Sequence, residues 1–337
     1  MKRILLAIEY ADELFYCDSL RDNVSEPYIR LREQLEMNGY IVDTIPKVNI
    51  EEYAYIFFKD VYKYQDLVGK IYKEAVNKKL KNNMVLFLSE SPIVRPKNYD
   101  KRNHSEFGTI FTWRDDYIDG QKYFKYYLPV GLQNNNLFIP FKERKLICDI
   151  SGNKFSKIKN ELYSSRRRII QFLNKNNPND FDLYGTGWNN TFSNILKKLI
   201  RYRQLDVFTY TSYLGTVKNK NKVVPKYKFV ISYENFSQDD YISNRIFDVF
   251  MNNAIPVYLG PSNIAKYIPE NTFINASNYR SNYDLIYFLI NMNEEIYLTY
   301  MKNIEKYLKS KEFELFLSSN FTNTIINTLE AKNGGLQ

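Results

Sequence analysis

One stretch, Tyr227–Asn278, constrains the fold more than any other. An apolar run, Lys228–Tyr233, leads into a polar loop, a helix-spaced segment, a second apolar run, Ile255–Leu259, and a Gly-Pro turn. Short apolar runs bounded by turn residues read as strands buried on both faces. Strand, helix and strand in that order form a βαβ unit with parallel strands. In open α/β sheets ligands bind at the carboxyl ends of the strands. The first crossover loop places Asn235, Asp239, Asp240, Tyr241, Ser243, Asn244 and Arg245 at that edge.

The rest of the chain repeats the rhythm. Strands are expected over 1–8, 39–43, 55–58, 84–88 and 108–113, with helices over 27–38 and 67–82. The first helix has Pro27 at its start and Gly39 just past its end, the usual asymmetry of helix termini. A second series begins with a strand over 144–150, a helix over 161–174 and a strand over 181–184, which runs into Gly185-Thr186-Gly187. A basic helix is expected over 192–202, and helices over 284–293, 294–310 and 313–329. The polar run 133–136 lies near the expected boundary, at 138–143. The expected organisation is therefore 1–140, 141–310 and a C-terminal helix with a loose tail, 311–337. Two doubly wound α/β domains of Rossmann type would form a cleft, the default place for a ligand.

Charge and cysteine content narrow the class. Net charge is +9, from 47 basic and 38 acidic residues. That excess suits an anionic partner, or simply keeps the protein soluble. Cys17 and Cys148 form no disulfide framework. The N-terminal apolar run Ile4–Ile8 is shorter than the roughly 7–15 residues of a signal h-region. These features predict a reduced, cytoplasmic protein. The basic helices over 67–82 and 194–203 read as solvated faces, or as surfaces resting on the inner face of an anionic membrane.

Few chemistries remain. The single histidine, His104, lies in a polar loop and reads as solvated, so a Ser-His-Asp or Cys-His unit has no support. Zinc would need more Cys and His, and no GxxxxGK[ST] loop occurs. Gly185-Thr186-Gly187 is first a turn. Glu90 directly follows an apolar strand and is either a general base with a raised pKa or a solvated loop acid. Asp115-Asp116 and Asp239-Asp240 are either metal ligands or caps. Of Arg166, Arg167 and Arg168, one can point into a cleft while the others stay in water. Arg245 opens a helix whose amides favour an anion, and its guanidinium can grip phosphate in a bidentate manner. Asn235, Tyr241, Ser243 and Asn244 suit sugar hydroxyls.

At these residues the chain resembles the α1,3/4-fucosyltransferases of glycosyltransferase family 10. The family pattern runs roughly YKF.L.FENS…DYITEK…VPVVLGP…IP..SFI; this chain reads YKFVISYENFSQDDYISNRIFDVFMNNAIPVYLGPSNIAKYIPENTFI. Ser89-Glu90-Ser91-Pro92 matches the family's ESP element. Thr112–Asp116 with Pro129-Val130-Gly131 matches the next element, and Phe181–Gly185 a later strand. The resemblance runs over about 84–279.

It implies a GT-B fold, with two Rossmann-like domains facing across a cleft. Residues 1–140 would bind the acceptor and 141–310 the donor. It also implies inverting, metal-independent transfer of fucose from GDP-fucose to an oligosaccharide or glycolipid hydroxyl, O3 of GlcNAc or Glc. Glu90 would be the base. Arg166 or Arg167, together with Arg245, would hold the diphosphate. Tyr241 and Asn235 match the family's DYITEK and FENS positions. Ser243-Asn244-Arg245 replaces the family's Thr-Glu-Lys. Asn244 keeps hydrogen bonding to ribose but loses the carboxylate, which leaves another nucleotide-deoxysugar open as donor. A non-catalytic module binding a nucleotide or nucleic acid is a third reading, disfavoured because the basic residues are scattered rather than striped.

Overall fold

The computed structural model describes residues 2–8, 25–61, 66–132, 137, 139–189, 199 and 208–334. The chain divides into two compact units. One is Met1–Leu132 with Glu314–Gln337, and the other is Gln133–Phe313.

The first unit holds six strands: β1 (Lys2–Ala7), β2 (Tyr40–Asp43), β3 (Tyr53–Lys59), β4 (Met84–Leu88), β5 (Thr109–Thr112) and β6 (Tyr123–Lys125). Their order is β2-β1-β3-β4-β5-β6, with every pairing parallel. Side chains alternate between the two faces of a strand, so each apolar run supplies two cores. Ile4, Leu6, Phe57, Val85 and Phe87 pack on one face with Leu31 and Leu35 of α1 (Glu26–Met37). Leu5, Ala7, Ile56, Phe58, Leu86 and Leu88 pack on the other with Val68, Ile71 and Ala75 of α2 (Leu67–Asn77).

The C-terminal helix, Ser318–Gly334, completes the first of these cores through Phe321, Ile325 and Leu329. The Phe321 ring meets those of Tyr28, Phe87 and Tyr126 at centroid distances of 5.9, 5.8 and 5.9 Å. This division differs from the one expected from sequence. The break follows Leu132, and the segment from Glu314 returns to the first unit, because a core face over β1, β3 and β4 needs its apolar stripe.

The second unit holds β7 (Lys145–Ile150), β8 (Phe181–Tyr184), β9 (Tyr227–Tyr233), β10 (Ile255–Leu259) and β11 (Ile274–Asn275). They run in the order β11-β10-β9-β7-β8, again all parallel. Its helices include α3 (Tyr163–Asn176), α4 (Asn244–Phe250), α5 (Asn282–Ile290) and α6 (Glu294–Leu308). Gly185 has φ +124°, and a Cβ there would lie 1.8 Å from the Ser151 carbonyl oxygen. The glycine is therefore required by the close approach of the chain leaving β8 to the chain leaving β7.

Both units have a topological switch point, between β1 and β3 and between β7 and β9. The expected elements match these closely; β6 and β11 were not expected. Both are very short, three and two residues, so neither carries a periodic signal. The helix expected over 192–202 lies outside the described residues apart from Leu199. Among the described residues, no helix is long and apolar enough to cross a membrane.

Candidate active site

The carboxyl edge of the second sheet is organised by a residue the motif reading passed over. Glu234 directly follows β9 and is fully buried. A buried carboxylate is costly unless it is hydrogen-bonded and paired. Glu234 receives the Ser243 amide at 2.9 Å, the Ser243 hydroxyl at 2.7 Å and the Tyr258 hydroxyl at 3.2 Å. Arg245 Nε lies 3.9 Å from its Oε2. Burial pushes the Glu234 carboxyl up, while Arg245 and Ser243 pull it back. These bonds pin the start of α4 to the end of β9. Ser243 is the N-cap, its Oγ accepting from the Arg245 amide at 3.4 Å.

Arg166, on α3, reaches the same point from the other side. It is 2% exposed and donates from Nη2 to the carbonyls of Tyr233 at 2.5 Å and Glu234 at 2.9 Å. Burial, and after it the charge of Arg245, bring Arg166 down to about 10. Arg245 thus adds to the cost of the Arg166 charge at the carboxyl end of β9, and an anion beside Arg166 would relieve it. Arg166 Nε and Asn235 Oδ1 are buried without a hydrogen-bond partner among the described residues.

Asp149, at the end of β7, is also buried there. Its Oδ2 accepts from Ser151 Oγ at 2.5 Å, and its Oδ1 has no partner among the described residues. Burial pushes it up to about 6 against the pull of Arg166.

The other expected donor-side residues divide. Arg167 packs on the segment that follows β7: its guanidinium stacks on the Phe155 ring at 3.7 Å and donates to the Lys154 carbonyl and, at 3.2 Å, to Ser164 Oγ. Arg168 is exposed and bonds Ser165. Tyr241 is buried, 3% exposed, within electrostatic reach of Tyr258. Asn244 is half-buried and donates weakly, at 3.4 Å, to Asp248, which also holds Lys220 at 3.0 Å. The structure therefore groups Arg166, Asn235, Ser243 and Arg245 around Glu234.

At the carboxyl edge of the first sheet, Glu90 is half-buried just beyond β4. Its amide donates to Asp60 Oδ1 at 3.0 Å, and its carbonyl accepts from the Tyr99 hydroxyl at 2.6 Å. Lys59 is close enough to feel Glu90. Burial works against the Lys59 charge, but Tyr28, Asp60 and Glu90 outweigh it and hold the ammonium above its usual value.

One expectation changes. His104 is not solvated: it is 1% exposed, with Nε2 donating to the Asn98 carbonyl at 2.7 Å and Nδ1 3.0 Å from the Tyr123 hydroxyl. A carbonyl only accepts, which fixes the tautomer. The paired aspartates are occupied. Asp115 meets Lys125 at 2.7 Å and Asp116 meets Arg114 at 2.5 Å. Asp239 bonds Ser262, and Asp240, at φ +69°, bonds Asn263 and Tyr267. No group of three or more metal-ligating side chains occurs among the described residues.

Two parallel α/β sheets, each with a ligand-type edge at its switch point, place the fold in the GT-B class of glycosyltransferases. Solved structures of that class align along nearly the whole chain. A crystal structure of an alpha1,3-fucosyltransferase with GDP-fucose matches with TM-score 0.55 and 15% identity, covering 98% of this chain and 90% of that one. An alpha-glucosyltransferase in complex with UDP and DNA matches with TM-score 0.59 and 10% identity, covering 96% and 100%. At such identities the likeness is one of fold.

The family model "Glycosyltransferase family 10 (fucosyltransferase) C-term" matches residues 159–328, half of the 337. The chain belongs to glycosyltransferase family 10. It is similar to human 4-galactosyl-N-acetylglucosaminide 3-alpha-L-fucosyltransferase 9, with 32% identity over 105 residues, 29% of this chain and 29% of that protein. It is also similar to the alpha-(1,3)-fucosyltransferase FucT of Helicobacter pylori, with 34% identity over 65 residues, 19% of this chain and 14% of that protein. These matches thus span less than a third of either relative. The family match covers the Glu234 cluster and leaves Glu90 outside it.

Proposed function

We propose that the chain transfers fucose from GDP-fucose to a sugar hydroxyl, with inversion and without a metal. The observation that carries this reading is the Arg166–Arg245 pair beside Glu234 at the carboxyl edge of the second sheet, inside the family-matched region. In the proposed step, the acceptor oxygen bonds to the anomeric carbon as the bond from that carbon to the diphosphate oxygen breaks. Glu90 takes the hydroxyl proton. Arg245, backed by Arg166, stabilises the negative charge that builds on departing GDP, an electrostatic role of the kind that dominates many active sites. The acceptor we assign is a 4-galactosyl-N-acetylglucosaminide, the type named in the human relative, reacting at O3 of GlcNAc.

A second donor is favoured by one observation. Asn244 donates to Asp248, which also pairs with Lys220, so the carboxylate that the family pattern offers ribose is replaced by a different polar arrangement. Another nucleotide-deoxysugar would then be the donor.

Thermal stabilisation by nucleotides separates these readings from a non-catalytic one. GDP should raise the melting temperature and UDP should not; stabilisation by neither would remove the transferase reading. Glu90→Gln should lower transfer by about 10²–10⁴-fold, the usual contribution of a general base, while GDP still stabilises the protein. Near-parental transfer by that variant would overturn the base assignment.

A further inference from the structure

We propose that Asp60 is a positioning residue for Glu90: a buried carboxylate just past the neighbouring strand that grips the backbone of the base and fixes where its side chain starts. The proposal rests on the reading of Glu90 as base. Asp60 directly follows β3 and is 5% exposed. A single oxygen, Oδ1, accepts the Ser89 amide at 2.8 Å, the Glu90 amide at 3.0 Å and Asn98 Nδ2 at 2.5 Å. The Asp60 amide donates to the Phe87 carbonyl at 2.8 Å, which ties it to β4 as well. The Glu90 carbonyl is held by Tyr99. Both backbone polar groups of Glu90 are thereby fixed.

The grip is itself braced. Asn98 is fully buried, and its Oδ1 accepts the Val61 amide at 2.6 Å. Its carbonyl accepts from His104, which Tyr123 holds in turn. The lone histidine of the chain thus supports the residue that supports Asp60.

Two unfavourable features meet at Asp60, and a mere tie between loops would need neither. It has φ +62°, a left-handed conformation in which glycine is unstrained. It also buries a carboxylate with no cation among its hydrogen-bond donors within the described residues; the Lys59 charge is only nearby. Backbone strain of this kind persists where surrounding structure enforces it, often at functional sites.

The test uses the full chain, with GDP-fucose and N-acetyllactosamine as probes and GDP release as readout. Asp60→Gly relieves the strained backbone and removes the carboxylate; Asp60→Asn keeps an Oδ1 acceptor of the same shape. With the base misplaced, Asp60→Gly should lower kcat by about 10²-fold, with both KM values within about threefold of parental. Asp60→Asn should recover most of the rate, to within roughly fivefold of the parent, because a neutral acceptor still holds both amides. Circular dichroism fixes an assay temperature at which each variant is folded. Parental kcat in Asp60→Gly, or a rise in KM alone, would overturn the proposal. So would an Asp60→Asn protein as slow as Asp60→Gly. If Glu90→Gln transfers normally, or the parent releases no GDP, the functional reading fails instead and takes this one with it.

Discussion

The two units share a topology and differ in what they place at its functional edge. In each, a buried carboxylate just past a central strand accepts backbone amides from another segment. Asp60 takes those of Ser89 and Glu90, whereas Glu234 takes that of Ser243 together with its hydroxyl. In the first unit the result is one half-buried carboxylate, Glu90, fixed through its backbone. In the second the result is a pair of guanidiniums, Arg166 and Arg245, fixed around a carboxylate with no free surface. One framework therefore serves opposite electrostatics. The sheet supplies the edge, and the side chains that reach it decide whether a carboxylate or a pair of guanidiniums is presented there.

The sharpest way to break this comparison is to damage one edge's support and read the other. Phe321→Ala should destabilise the first unit by roughly 3–5 kcal/mol, as expected for a large aromatic lost from a core, while GDP binding at the second survives. Loss of GDP stabilisation at temperatures where the variant is folded would show that the two units do not act separately. Calorimetry with and without GDP makes the measurement.

Arg245→Ala should cost about 10²–10³-fold in kcat, the size found for removing one group that stabilises developing negative charge. Steady-state kinetics with GDP-fucose measures it. An unchanged kcat would move the anion-holding role away from the second unit's edge.

Asp149 sharpens the electrostatics of that edge. Its folded value, about 6, lies above the ordinary 3.8. Its contribution to stability is therefore complete below about pH 4 and is lost as pH rises through 6. Asp149→Asn, neutral throughout, should flatten that decline and gain on the order of 2 kcal/mol at pH 7. Denaturant unfolding at pH 4.5 and 7 measures it, and a decline as steep as the parent's would assign the pH dependence to other groups. The smallest expected effect is that of EDTA, which should leave transfer unchanged. Strong inhibition would reopen Asp115, Asp116, Asp239 and Asp240 as ligands despite their present partners.

Much of the fold was legible in the sequence, because strands buried on both faces are continuous apolar runs and the helices between them carry ordinary start and stop signals. The polar residues after β4 and β9 also marked both edges, with Glu90 just past an apolar run and Arg245 at the end of the polar loop that follows the other. What stayed hidden depends on pairing between distant residues. Asp60 and Glu90 are 30 positions apart, and Arg166 and Glu234 are 68 apart. Glu234 itself had a local signal, a carboxylate ending a buried strand, but only its partners give it a role. His104 looks like a loop residue until Asn98 and Tyr123 close over it, and the run Arg166–Arg168 does not say which guanidinium turns inward.

The sequence by itself determined the two parallel α/β layers, the family, and the strand ends at which chemistry could occur, because periodicity and strand-to-loop transitions are local properties. Only the tertiary structure decided that Glu234 and Asp60 organise those ends, that Arg166 lies beside Arg245, and that the C-terminal helix belongs to the first unit. Burial and hydrogen bonding set these outcomes. They are properties of which surfaces meet, and no local pattern encodes that.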